Sequence, residues 1–242
     1  ASNWANRYAL EPKPGQVIHH STYLDTPPDW LGPRFIADAE QLKMINPTAY
    51  RNEYLGEVTG SGANVFDNVK LEPISDDLLA GFDRIYMGVD WGFYPDPWAF
   101  NKMHYDPARM TLYIYDEARE YRKGNEATAR ILREEHGVTA DDLITADSAE
   151  QKSVGDYKSF GLWCRGAIKG PGSVDYSMKW LGRLSAIIID PVRCPHTAKE
   201  FSEYEFERTK DGELISTYPD RDNHHIDAVR YAMETVWKRR GQ

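Results

Sequence analysis

The run Arg84-Ile85-Tyr86-Met87-Gly88-Val89-Asp90-Trp91-Gly92 constrains this chain more than any other stretch. It is short, β-prone and apolar, it ends on an aspartate, and it leads within a few residues to Pro95-Asp96-Pro97. A strand of this composition is buried, and a buried carboxylate without a partner costs several kcal/mol. Asp90 is therefore expected to be paired, hydrogen-bonded or bound to a cation. Gly88 and Gly92 leave room for a second backbone or a ligand to come close. Taken alone, Asp90 could equally be an aspartate that starts the turn before Pro95. Two acids further along the chain bear on that choice.

The order of elements around Asp90 indicates one domain with an arm before it. Residues 1–80 form the arm or linker: prolines at 12, 14, 27, 28, 33, 47 and 73 divide it into short pieces. Phe35, Ile36, Ala39, Leu42 and Met44 suit an amphipathic helix over 33–44, and Tyr50, Tyr54 and Leu55 suit another within 47–57. The segment shows no sheet of its own. Residues 81–242 read as a single domain that is rich in strands at its start. Strands are predicted over 84–90, 98–105 and 111–117, with Asp106-Pro107-Ala108-Arg109 as the turn between the last two. A helix over 125–135 has Asn125 as its N-cap and Gly137 at its close. Then follow a strand at 143–147, a helix at 149–160, a strand at 162–168, a helix at 174–185, a strand at 186–189 and a helix at 196–205. Residues 208–217 read as an accessory β-hairpin with Lys210-Asp211-Gly212 at its tip. A last helix runs over 224–239. Three sequential strands followed by helix–strand alternation specify an α/β fold, its mixed central sheet antiparallel at the start and parallel in continuation, with helices flanking it.

Composition limits the function classes. No apolar run approaches the ~20 residues that span a bilayer, and the amino terminus has no signal-peptide pattern. Cys164 and Cys194 lie in predicted core segments without a CxxC and read as small buried hydrophobes in a reducing compartment. The net charge of −9 argues against a protein that coats nucleic acid through bulk charge. It leaves room for a nuclease, whose acidic site relies on divalent cations to offset phosphate repulsion.

Asp147 ends the fourth strand as Asp90 ends the first. If those strands are parallel neighbours, both carboxylates stand at the sheet edge where open α/β sheets place their ligands. Asp227 falls in the first turn of the last helix, off the stripe formed by Ile226, Val229, Met233, Val236 and Trp237. His224 shares its face, within about 60° at i, i+3 spacing, whereas His225 points roughly 160° away from Asp227. Three converging carboxylates repel one another and require cations; an all-oxygen, partly open site suits Mg²⁺ or Mn²⁺. Two such ions activate water and stabilise the leaving oxygen in phosphoryl displacement. The competing structural roles are a helix cap for Asp147 and an i, i+3 pair with Arg230 for Asp227. His224 is placed to bind the second metal, to hold a water or to protonate the leaving oxygen. Trp91, Phe93, Tyr94 and Trp98 read first as core packing and second as a cleft wall. Most of the dispersed lysines and arginines, Lys169 among them, read as solvated surface charges.

These motifs, taken in order, carry a family resemblance. Met87-Gly88-Val89-Asp90-Trp91-Gly92 with Asp96-Pro97-Trp98-Ala99, then Thr145-Ala146-Asp147-Ser148-Ala149-Glu150, then His224-His225-Ile226-Asp227-Ala228-Val229-Arg230-Tyr231-Ala232 resemble the nuclease domain of the large terminase subunit of tailed bacteriophages. That domain has the RNase H, or retroviral integrase-like, fold. The similarity covers residues 84–240, and Tyr50-Arg51-Asn52-Glu53-Tyr54-Leu55-Gly56-Glu57 resembles the family's segment between ATPase and nuclease. The resemblance implies a divalent-metal-dependent endonuclease that cuts concatemeric double-stranded viral DNA to begin and end packaging. Asp90, Asp147 and Asp227 would be the metal ligands, with Asp90 bridging both ions and Glu150 a stand-in for Asp147. Arg208 and Lys210 would guide DNA from the hairpin. Implied partners are double-stranded DNA, an ATPase domain, the terminase small subunit and the portal, with no membrane. The implied location is the host cytoplasm and, transiently, the procapsid portal. No G-x-x-x-x-G-K-[ST] occurs, so ATP hydrolysis is not expected of this chain. The rival readings are a resolvase- or transposase-like nuclease on the same fold, and a non-catalytic docking module of the packaging motor.

Overall fold

The computed structural model describes residues 21–45, 50–51, 54–55, 63–207, 215 and 217–238. It contains two compact units, one of residues 1–64 with 205–217 and one of residues 65–204 with 218–242.

In the first unit Pro28–Leu31 (α1) and Pro33–Ile45 (α2) are helical, the second as its apolar spacing predicts. Tyr50 and Tyr54 stack at 5.9 Å between centroids, and Tyr23 meets both edge-on while its hydroxyl lies 2.8 Å from that of Tyr50. The rest of the helix expected within 47–57 falls outside the described residues. So do Arg208, Lys210 and the hairpin tip between Lys210 and Gly212.

The second unit is built on a seven-stranded sheet. Its strands are Val69–Leu71 (β1), Ile85–Asp90 (β2), Trp98–Asp106 (β3), Thr111–Glu120 (β4), Ile144–Ala146 (β5), Cys164–Gly166 (β6) and Ala186–Ile189 (β7). Their spatial order is β1-β7-β4-β3-β2-β5-β6. Strands β2, β3 and β4 are antiparallel neighbours, and β5, β6, β7 and β1 join in parallel. The mixed sheet expected from the sequence is therefore present. Its first strand, however, lies within the segment expected to be arm. The units divide between Asn64 and Val65, upstream of the boundary expected near residue 80. Three residues, Val69-Lys70-Leu71, are too few for alternation to show in a sequence.

The helices of this unit are Asp76–Ala80 (α3), Asn125–Glu134 (α4), Gln151–Ser159 (α5), Ser173–Gly182 (α6), Pro195–Glu203 (α7), His224–Ala232 (α8) and Glu234–Lys238 (α9). Two apolar clusters form around them. Met87 and Val89 of β2 pack with Phe100, Leu132, Val154 and Tyr157 in the cluster of α4 and α5. Ile114, Leu181, Phe201, Ile226 and Val229 form the other, with α6, α7 and α8. Side chains alternate along a strand, so Gly88 and Asp90 turn from Met87 and Val89 toward α8. The last helix, expected to be continuous over 224–239, breaks at Met233, where the backbone (φ −84°, ψ 2°) leaves the helical range. There Glu234 turns inward to Arg165 at 2.8 Å and to Lys238 at 2.6 Å.

Candidate metal centre

Parallel pairing sets Val89 opposite Ala146, and the Asp147 N–H donates to the Val89 carbonyl at 3.0 Å. Asp90 and Asp147 thus leave the sheet side by side at one edge, as the strand ends predict. Helix α8 brings the other two groups. It can lie against β2 only because residue 88 is glycine: a Cβ there would stand 1.8 Å from the Ala228 carbonyl oxygen. The room that Gly88 leaves is taken by a backbone, not a ligand.

The start of α8 is held from behind. Its N-cap, Asn223, makes no capping bond with its side chain. Glu200 of α7 takes that part, accepting from the His225 N–H at 2.6 Å and the Ile226 N–H at 3.3 Å, while Arg119 of β4 donates to its other oxygen at 2.9 Å. A carboxylate at a helix start also suits the helix dipole. Glu117 does the same for α7, accepting from the His196 and Thr197 N–H groups at 2.8 and 2.7 Å. Asn101 joins the two systems: its amide donates to Thr197 Oγ1 at 2.7 Å, and its oxygen accepts from His225 Nδ1 at 2.9 Å. His225 is fully buried, and burial with nearby Arg119 pushes its pKa well below the usual value, so the ring is neutral. Nothing in the sequence pattern showed this buried polar chain, because every bond in it is long-range.

In front of that support lies a cleft of about 580 Å³ that Asp90, Asp147, Asp227, His224, Asp96 and Lys169 help to line. His224 Nδ1 donates to Asp90 Oδ2 at 3.0 Å, and its Nε2 is 3.6 Å from Asp96. Burial lowers the His224 pKa, but its hydrogen bond to Asp90 together with the charges of Asp90, Glu200 and Asp96 outweighs this, and the net direction is upward. Asp227 pairs with Arg230, the i, i+3 contact foreseen as its structural role. Burial nevertheless raises the Asp227 pKa. Asp147 pairs with Lys169, and its Oδ1 also accepts from the Ala149 N–H at 2.8 Å. It does not cap α5, whose N-cap is Glu150. Glu150 is exposed, accepts from the Ser153 hydroxyl at 2.7 Å and does not line the cleft. Trp98 is core, whereas Phe93 and Tyr94 are exposed, contrary to their first reading; the loop that closes Gly92 against Pro97 turns them outward.

Asp90 is a strongly perturbed acid. Burial pushes its carboxyl up, and the Asp227 and Asp147 carboxylates push it further; the His224 hydrogen bond only partly opposes them, leaving it at about 7. A bound cation would offset both the burial of the ionised carboxyl and the repulsion from its neighbours. The donor chemistry, three carboxylates and an imidazole in a polar cleft, fits a hard divalent cation. Among the described residues, however, no three such side chains converge on one point; the carboxylates are engaged in separate ion pairs. The sequence did not single out Lys169 as a site residue. Its signal was positional: it follows β6, which runs parallel to β5 and opens at the same sheet edge.

A mixed sheet of this order, with carboxylates at the ends of two adjacent parallel strands and on a helix packed across them, defines an RNase H-like domain. The family model of the terminase RNase H-like domain matches residues 90–235, more than half of the chain, and the chain belongs to that family. It is 41 % identical over 228 residues to the terminase large subunit of Bacillus phage SPP1, covering 93 % of this chain and 53 % of that protein. It is 30 % identical over 220 residues to the PBSX phage terminase large subunit of Bacillus subtilis, with 89 % and 50 % covered. The chain thus spans about half the length of the curated relatives it matches. Among solved structures, the nuclease domain of the SPP1 large terminase g2p with bound Mn superposes with a TM-score of 0.66 at 38 % identity, covering 70 % of this chain and 97 % of that one. The large terminase of a thermophilic bacteriophage shares the fold, with a TM-score of 0.54 at 15 % identity over 85 % of this chain and 53 % of that one.

Proposed function

We propose that the second unit is a two-metal-ion endonuclease that cuts concatemeric double-stranded DNA at the start and end of viral genome packaging. The observation that carries this reading is the polar cleft at one sheet edge that Asp90, Asp147, Asp227 and His224 line together. The match to a nuclease domain that binds Mn supports it. Asp90, Asp147 and Asp227 would hold Mn²⁺ or Mg²⁺. Bound cations would supply the Lewis acidity that activates water and would offset the charge of the phosphate. His224, its pKa raised by Asp90, is suited to hold a proton for the departing oxygen. Glu200 and Gly88 keep Asp227 and His224 at the sheet edge. The first unit would join the nuclease to an ATPase domain, with the small subunit and portal as further partners. Such a chain would act in the host cytoplasm and, during packaging, at the procapsid portal.

Supercoiled plasmid incubated with the protein tests the reading. Nicked and linear DNA should appear with Mn²⁺ or Mg²⁺ and be absent with EDTA, and Asp90→Ala, Asp147→Ala and Asp227→Ala should each abolish cutting. Plasmid left intact at every metal concentration would favour a docking module instead.

A further inference from the structure

Each of the three aspartates has a basic partner, and the three partners are held very differently. Arg230 sits on the same helix as Asp227, is buried, and is fixed by a second bond from its Nε to the Ser177 hydroxyl at 2.7 Å. His224 is likewise part of α8, and its side chain is only 16 % exposed. Lys169 comes from the loop after β6, and its side chain is 42 % exposed. Apart from Asp147, the ammonium faces the Tyr231 ring at 4.9 Å and lies close enough to Asp227 for its charge to favour that ionised carboxylate as well. The backbone beside it is pinned: the Ala167 N–H donates to the Ala146 carbonyl at 2.8 Å, and the Lys238 ammonium donates to the Ile168 carbonyl at 2.7 Å. The Lys169 head can therefore leave Asp147 by rotation of its own stem, with no movement of the loop.

We propose that Lys169 is a tethered counter-ion of Asp147 that competes with the divalent cation for this carboxylate, and that a DNA phosphate entering the cleft draws it away. Resting on the nuclease reading, the proposal assigns Lys169 as a positioning residue that couples metal occupancy to substrate. Of the three partners that keep these carboxylates apart, Lys169 is the most exposed and so the most readily exchanged. An ammonium on a flexible stem is the partner most easily exchanged, because it makes a point contact rather than a fork. A phosphate offers it an equivalent anion, and the freed carboxylate then becomes available to metal. Coupling of this kind is reciprocal, so metal should also tighten DNA binding.

The test is Mn²⁺ binding followed by electron paramagnetic resonance on the whole protein, with and without a short phosphorothioate duplex that resists hydrolysis. Without DNA, Lys169→Gln should bind Mn²⁺ about fivefold more tightly than the parent, the loss of one exposed ion pair converted to affinity. Lys169→Arg, whose fork grips the carboxylate more firmly, should bind Mn²⁺ more weakly than the parent. The duplex should tighten Mn²⁺ binding by the parent and have little effect on Lys169→Gln. Equal or weaker Mn²⁺ binding by Lys169→Gln overturns the counter-ion role, and a duplex effect of the same size in both proteins overturns the hand-over to phosphate. Both readouts are independent of cutting: tighter Mn²⁺ binding by Lys169→Gln, together with plasmid that no metal causes the parent to cleave, counts against the nuclease and not against the counter-ion.

Discussion

Asp90→Asn should make the metal-free protein more stable. The native carboxyl titrates at about 7, against 3.8 for an ordinary aspartate. At ~1.4 kcal/mol per pH unit, the ionised form is disfavoured in the folded protein by roughly 4 kcal/mol. An amide of the same shape removes the charge and keeps an oxygen for the His224 Nδ1 donor, now 3.0 Å from Asp90 Oδ2. Its remaining polar atoms are not all satisfied, which takes back ~1–2 kcal/mol and leaves a gain of about 2 kcal/mol. For a unit of this size that corresponds to roughly 4–8 °C in melting temperature. The gain must depend on pH with a defined sign. Above about 7 Asp90 is ionised in both states, and its penalty is complete. As pH falls from about 7 to about 4 the folded carboxyl is protonated while the unfolded one is still ionised, so folding takes up a proton. The penalty then shrinks by ~1.4 kcal/mol per pH unit and vanishes near 4. Calorimetry of both proteins in EDTA at pH 8.5, 6 and 5 reads Asp90 together with the groups coupled to it, chiefly His224, whose pKa the Asp90 carboxylate helps to raise. A variant that melts at or below the parent at pH 8.5, or whose advantage is as large at pH 5, would refute the electrostatic account of this site.

Gly88→Ala should be severe for a methyl group. Its Cβ would lie 1.8 Å from the Ala228 carbonyl oxygen, so α8 must move away from β2, at a loss of about 3 kcal/mol; urea unfolding and Mn²⁺ binding should both report the damage, and a normal unfolding midpoint would contradict it. His224→Ala should nick plasmid far more slowly and, because Asp90 loses the hydrogen bond that offsets part of its burial, should also lose about 1 kcal/mol of stability. His225→Ala, which empties a fully buried site and leaves the Asn101 oxygen without its donor, should instead lose about 2–3 kcal/mol. Initial nicking rates and denaturation midpoints for both variants separate the two roles.

The chemistry of the site was legible where it depended on local pattern. Asp90 and Asp147 could be placed together because two apolar runs each end in aspartate, and parallel pairing brings such ends to one edge. Asp227 and His224 could be put on one face because helical spacing is fixed. What stayed hidden was set by partners far along the chain. Lys169 looks like any surface lysine until β6 is seen beside β5. Glu117, Asn101 and Glu200 look like ordinary polar residues of amphipathic segments, yet they end two helices and hold His225. The break at Met233 stands next to Glu234, whose partner Arg165 lies far back in the chain, and β1 pairs with a strand more than a hundred residues later.

The separation of Asp90 from His224, 134 positions along the chain, also bears on how the protein is made. A growing chain that has delivered β2 and β5 carries two of the aspartates but neither Asp227 nor His224. The groove over Gly88 stays empty until α8 emerges and docks, and with it arrives half of the proposed catalytic group. An unfinished polypeptide, or one cut short before α8, therefore holds an incomplete centre however well its sheet has formed. On the nuclease reading, cutting competence is acquired only after α8 has been made and has docked over Gly88.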